Sequence, residues 1–483
     1  MFFRNNQEDE QSLLNNKDDD DVLKDSDTNV VNTIIEKLGM GRFSYGLILK
    51  LSTVYFIYGA EMTLLGIIAP FLKCHWNMTD LQIGFMTSTV LVGEGIGFLL
   101  WGWLGDVFGR KPILVISLVI AFLFSFFTIF ASNYLWFAIL RLFVGIGIAS
   151  FYVPTCILSE YLPSRIRGVG ILSSMISYNF GSIFIACMAK VFLLHDQWKQ
   201  FIGIATGPIF LSLLVSLTLP ESIRYLANHS KFDQLKRILG DIACAHKKTL
   251  DDSDFESIRP LVKRSQDKHF QALFEKERRW TTVAITVLLS SCVISYFGLI
   301  VWNTDLQQQR LDLAMQRNLN NTTSLRCHKL RAGDYTQNII VSFSGLVGTF
   351  GSLVLVDFTG RKKPISLGLL LTAVVLLSLN FKMSYLAFST VIFLGRAFIS
   401  TSLSASSVFL NELFPTSVRA KANGFAQFVA AIMAGIAPYL IQDAAHHSMI
   451  LVTSLMALIC VVGAIACATQ RETKGQPLDP QTN

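Results

Sequence analysis

The sequence predicts an all-α membrane protein: twelve transmembrane helices arranged as two pseudo-symmetric six-helix bundles. Three observations predict it. Hydrophobic residues fill 52% of the 483 positions and charged residues only 16%, whereas a soluble chain carries about 25% charge. The apolar residues come in blocks of about 20, the length a helix needs to cross the hydrocarbon of a bilayer. The first half of the chain also recurs in the second at a near-constant offset.

Residues 1–43 are the exception to the apolar pattern. "NNQEDEQSLLNNKDDDD" is acidic and lacks the basic stretch and apolar core of a signal peptide. It reads as a disordered cytosolic tail that ends in a short amphipathic segment. Within it "DEQSLL" fits an acidic dileucine sorting signal or is plain tail. Six spans follow in 44–219, near 46–71, 81–104, 112–131, 134–157, 170–193 and 200–219. A hydrophilic stretch, 220–279, reads as a central cytosolic loop with short helices. Six more spans occupy 280–470, near 280–302, 337–357, 364–381, 386–408, 422–441 and 448–468, and 471–483 is a second cytosolic tail. The polar residues 303–336 read as a lumenal loop between spans seven and eight.

Charge asymmetry sets the orientation. With both termini in the cytosol, the four short inner loops carry nine Lys and Arg and the four short outer loops three. Two cues agree. Asn77, Asn320 and Asn321 each begin an Asn-x-Thr sequon on the lumenal side of this topology. Cys74 and Cys327 share that oxidising side, so they form either a disulfide between the halves or two free thiols. The eight cysteines show no CxxC and no metal-ligand spacing, and His446-His447 alone makes no metal site. No metal, cofactor or nucleic acid is implied.

The repeat holds register at three landmarks. Asp106-x-x-Gly-Arg110-Lys111 recurs as Asp357-x-x-Gly-Arg361-Lys362, 251 residues on; "SEYLPSRIR" recurs as "NELFPTSVR", so Glu160 and Arg167 answer Glu412 and Arg419, each 252 residues on; and "PES" at 220–222 is echoed by "RET" at 471–473. Parallel repeats related by an axis along the membrane normal are the architecture of a rocker transporter, with the site between the halves at mid-membrane.

These motifs resemble the major facilitator superfamily: "GWLGDVFGRKP" and its copy "DFTGRKKP", "RLFVGIG" in span four, the paired Glu-x6-Arg elements, "PESIRYL" and "RETKG". Within its sugar and organic-ion branch, "IIEKLGMGRFSY", "RRWTT", "SYFGLIVWNTDL" and "GRAFIS" are most similar to the synaptic-vesicle-protein-related transporters. The resemblance implies the major facilitator fold, a cavity lined by spans one, four, seven and ten, and inner charge clusters that hold the halves together when the cavity opens outward. Those clusters would be Asp106, Arg110, Lys111, Glu160 and Arg167, and Asp357, Arg361, Lys362, Glu412 and Arg419, with Glu160 and Arg167 reaching the Asp106–Lys111 loop. Two departures stand out. Val107 replaces the usual basic residue of the loop motif, and Tyr58 stands where the vesicle proteins carry an Asp before their Glu.

Charges inside spans mark pathways or pairs. Glu61 lies in span one, Glu94 in span two, Arg141 in span four and Arg396 in span ten. Glu61 and Arg141 are expected to pair, the pair breaking on protonation or substrate binding, or else to be a static structural pair. Arg396 either binds an anionic group or braces its span. Glu94 either selects the substrate or faces water in the cavity. Tyr58, Tyr296 and Asn303, with Tyr55 and Trp302, offer rings and hydrogen bonds; Trp302 also suits a membrane-interface anchor. The expected function is secondary transport of a small charged organic solute by alternating access, by a functional monomer in a plasma or vesicle membrane. It would be proton-coupled or a facilitator. The alternative is a transporter-like receptor or trafficking partner. No nucleophile–base set or metal cluster suggests an enzyme.

Overall fold

A computed structural model describes residues 33–229, 231–250, 274–275, 278–318, 330–381, 383–414, 419–442 and 449–474. Among them run twelve long helices. The first six are α1 Arg42–Trp76, α2 Asp80–Phe108, α3 Arg110–Thr128, α4 Tyr134–Tyr161, α5 Ser164–Phe192 and α6 Trp198–Leu217. The second six are α7 Arg279–Asn318, α8 Ala332–Thr359, α9 Lys362–Ser378, α10 Tyr385–Leu413, α11 Arg419–Gln442 and α12 Met449–Ala468. Ten are long and apolar enough to cross a membrane. Of the other two, α9 is 17 residues long, at the short limit for a span, and α11 opens on the polar Arg419, Lys421 and Asn423.

Side-chain oxygens begin several helices. Thr79 and Gln82 form a capping box at α2, and Asn133 and Ser384 accept from backbone N–H groups at the starts of α4 and α10, satisfying donors that the helix leaves open. The largest departure from expectation is at α7. Residues 303–318, expected as loop, continue the helix, because "LQQQRLDLAMQR" is polar yet made of strong helix formers. Hydropathy marks where a span leaves the lipid, not where its helix ends.

In lipid, apolar side chains gain little by meeting each other, so helices associate through close backbone approach at small residues. On α1 and α5 the approach is reciprocal: a Cβ at Gly59 would sit 1.9 Å from Tyr178 O, and one at Gly181 1.9 Å from Phe56 O. Gly93 on α2 and Gly145 on α4 repeat it against Leu142 O and Val90 O, at 2.1 and 2.2 Å. The glycine-rich "GEGIG" and "GIG" therefore serve helix packing. The outward faces of α3, α6, α9 and α12 expose Phe126, Leu214, Leu370 and Ile465, as lipid contact requires.

The halves meet along α2 with α11, α5 with α8, and α1 with α7. Ser88 Oγ donates to Gly435 O (2.6 Å), Asn179 Nδ2 donates to Thr349 Oγ1 (2.9 Å), and Gly66 makes room for Ile300. After α6, two short helices, Ile223–Asn228 and Phe232–His246, return to the start of α1, where His246 Nδ1 lies 3.1 Å from Leu38 O.

Candidate functional site

At the centre, five side chains from five helices form a line through both halves. Tyr58 on α1 donates to Glu94 Oε1 on α2 (2.5 Å). Its ring stacks on Phe151 at 3.7 Å, in a 3₁₀ turn that interrupts α4. Tyr178 on α5 lies 5.5 Å from Tyr58 and 6.1 Å from Tyr296 on α7, centroid to centroid. Arg396 on α10 donates from Nη2 to Tyr296 Oη (3.2 Å), its guanidinium 5.3 Å from that ring's centre. Glu94 and Arg396 are both buried, and neither has an ion-pair partner among the described residues. Glu94, expected either to select the substrate or to face water in the cavity, is 2% exposed and has the Tyr58 hydroxyl as its bonded partner. Tyr178 was not singled out from the sequence, although the polar "SYN" in mid-span was the available signal.

Glu61 and Arg141 sit apart from this line, inside the first bundle. Glu61 Oε2 accepts from Arg141 Nη1 at 2.5 Å, and both residues are buried. Ser125 Oγ on α3 lies 3.4 Å from Glu61 Oε1 and 2.9 Å from Thr206 Oγ1 on α6. Arg141 rests on the Phe137 ring, while its Nε and Nη2 have no hydrogen-bond partner among the described residues. Tyr55 spends its hydroxyl on Thr155.

A third cluster, on α7 and α8, is made of amides. Asn303 Nδ2 and Gln307 Nε2 both donate to Asn338 Oδ1 (2.7 and 3.1 Å). Asn303 Oδ1, Gln307 Oε1, Asn338 Nδ2 and both amide atoms of Gln337 are buried and have no hydrogen-bond partner among the described residues. Trp302, read from the sequence either as a ring offered to a solute or as an interface anchor, is fully buried beside them. Gln307, Gln337 and Asn338 lay in a segment expected as loop or at its edge, so sequence reasoning passed over them.

At the face with the basic loops, the repeat is legible atom by atom. Gly109 (φ 103°) and Gly360 (φ 88°) end α2 and α8. Glu221 accepts from the backbone N–H groups of Arg110 (2.8 Å) and Lys111 (3.2 Å), and Glu472 accepts from those of Arg361 (2.9 Å) and Lys362 (3.2 Å). Each carboxylate thus caps the positive N-terminal end of α3 or α9. Burial would raise the Glu472 pKa, but four backbone N–H groups outweigh it and hold the carboxyl below its usual range. The next residue repeats too: Ser222 Oγ donates to Glu160, and Thr473 Oγ1 donates to Glu412 (2.5 Å).

The clusters then diverge. Arg361 binds both oxygens of Glu412 at 2.9 Å, a bidentate pair. Arg110 pairs with Asp106 at 3.2 Å, whereas Asp357 is exposed with no bonding partner among the described residues. Glu160, expected to reach the Asp106–Lys111 loop, lies in electrostatic reach of Arg110, while its hydrogen bonds go to the Ser222 hydroxyl and the Arg224 N–H (3.4 Å). Arg167 makes no bond through its buried Nε, yet lies in electrostatic reach of Glu160 and of Glu412 in the other half. Glu221, Ser222, Glu472 and Thr473 are the residues the sequence reading undervalued, and the in-register "PES" and "RET" were their signal.

Asn77 is exposed in a left-handed turn after α1. Cys74 is disulfide-bonded, and the six other described cysteines form no disulfide. Cys327, Asn320, Asn321 and His446-His447 lie outside the described residues, as does the side chain of Arg419.

The comparisons with known proteins agree with this architecture. The family model described as "Sugar (and other) transporter" matches residues 27–483. The synaptic vesicle 2-related protein of Rattus norvegicus is 28% identical over 462 residues, covering 95% of this chain and 83% of its own. The SVOPL protein of Mus musculus is 26% identical over 468 residues, with 94% of each chain covered. Among solved structures, the proton:xylose symporter XylE superposes with a TM-score of 0.66 at 20% identity, over 90% of this chain and 97% of its own. A partially occluded, inward-open XylE from E. coli gives 0.67 at 19%, over 90% and 99%. At that identity the structures speak for the fold, two six-helix bundles, and the family match covers nearly the whole chain: the protein belongs to the sugar (and other) transporter family of the major facilitator superfamily.

Proposed function

We propose that this protein is a secondary transporter that moves a small charged organic solute by alternating access, driven by protons through the Glu61–Arg141 pair. The observation that carries the reading is that pair. A carboxylate and a guanidinium are buried together in the membrane region, with hydroxyls of Ser125 and Thr206 beside them. Such an arrangement is costly to keep unless its making and breaking does something. Protonating Glu61 would release Arg141 and loosen α1 from α4. One neighbouring structure is of a proton:xylose symporter, which supports proton coupling here.

The capped clusters at Glu221 and Glu472 would form the cytosolic gate, with both termini on that side. Their ion pairs, Arg110–Asp106 and Arg361–Glu412, are only partly exposed, and a few such pairs would bias two states that solute binding can still exchange. The protein would work as a monomer in a plasma or vesicle membrane, with Asn77 on the lumenal side. Uptake of a panel of organic ions into proteoliposomes, with and without an inward proton gradient, tests the reading. Gradient-driven uptake that is lost in Glu61→Gln is expected. Uptake that ignores the gradient in the wild type removes the coupling, and no uptake of any compound by folded protein removes the transport reading.

A further inference from the structure

We infer that the solute is a zwitterion, held with its cationic group at Glu94 and its anionic group at Arg396. This inference rests on the transport reading above. Glu94 belongs to the first half and Arg396 to the second, and they mark the two ends of the Tyr58–Tyr178–Tyr296 line. Both are buried, at 2% and 4% exposure. Each has a tyrosine hydroxyl as its bonded partner and no opposite charge among the described residues. Arg396 Nε has no hydrogen-bond partner among the described residues. Keeping either group charged without a counter-ion is costly, and the fold does not spend these two on each other: each bonds a tyrosine hydroxyl.

A solute with one charge would neutralise one pole and leave the other uncompensated. A solute with both charges completes both. Because the poles lie on opposite halves, such a solute also draws the halves together, which is what a rocker must feel in order to occlude. The three tyrosine rings and Phe151 supply apolar wall and π-faces between the poles, suited to a cation near Glu94 and to an apolar body.

The test uses purified full-length protein and matched sets of probes, ω-amino acids and betaines of increasing charge separation, each with its single-charge analogues. Thermal stabilisation reports binding, and counterflow in proteoliposomes reports transport. In at least one set the zwitterion is expected to bind roughly tenfold or more tightly than either single-charge analogue, the scale of one lost charged hydrogen bond. Glu94→Gln should erase the advantage over the anion, and Arg396→Gln the advantage over the cation. The wild-type comparison stands even where a variant fails to fold. Single-charge compounds that bind and exchange as well as, or better than, every zwitterion overturn this inference and leave the transport reading intact. Absence of binding and exchange by all probes overturns both.

Discussion

Replacing Glu61 with Gln should cost this protein far more than an ordinary polar substitution. The Arg141 guanidinium is fully buried, and two of its nitrogens already lack partners. Its charge is compensated by Glu61 at 2.5 Å and, weakly, by the Phe137 face. Glu61→Gln keeps the shape and an acceptor but leaves the cation unpaired in a low-dielectric interior, a loss of about 3–5 kcal/mol. Arg141→Met strands the carboxylate instead and should lose a similar amount. The double variant strands neither charge, so its loss should fall short of the sum of the two by about 2–3 kcal/mol. Equilibrium unfolding in detergent micelles titrated with SDS measures all four proteins of the cycle. A Glu61→Gln loss below about 0.5 kcal/mol, or strictly additive losses, would refute the claim that the pair is energetically coupled.

Other outcomes follow from the packing. Gly360→Ala must hold a side chain at φ 88° with its Cβ 2.7 Å from Glu472 Oε2, so a loss of about 1–3 kcal/mol is expected in the same assay; no loss would mean that the cap can shift away. Gly181→Ala places a Cβ 1.9 Å from Phe56 O, a backbone atom, and should push α1 from α5, read as a sharply lowered unfolding temperature and poor recovery of monodisperse protein. Glu472 has a folded pKa below its unfolded value, so the stability it contributes is complete at neutral pH and is lost as pH falls through the depressed folded value. Glu472→Gln should flatten that acid limb of the stability–pH curve. An unchanged limb would show that the capping bonds do not discriminate between the carboxylate and its acid.

How far the sequence carries depends on the range of the interaction. Span positions were legible because the bilayer imposes its thickness on each helix separately. The basic knot at Asp106–Lys111 and its copy at Asp357–Lys362 were legible because a duplicated half keeps its landmarks in order. The 303–318 stretch was not, since a helix that has left the lipid no longer needs apolar residues. Nor were the partners of Glu160, which lie 62 and 64 residues away, on a segment whose return path only packing determines.

By itself the sequence determined the fold class, the two-fold repeat, the intramembrane charges at Glu61, Glu94, Arg141 and Arg396, and the chemistry available to each. The tertiary structure decided which of those charges meet. It placed Glu61 on Arg141 and gave Glu94 and Arg396 tyrosine partners, Tyr58 and Tyr296, rather than each other. It also turned "PES" and "RET" from an echo into paired helix caps. The physical reason is the same in each case: a span's own composition specifies that it crosses the membrane, whereas its rotation and neighbours are set by close contacts such as Gly59 on Tyr178 and Gly181 on Phe56, between residues more than a hundred positions apart.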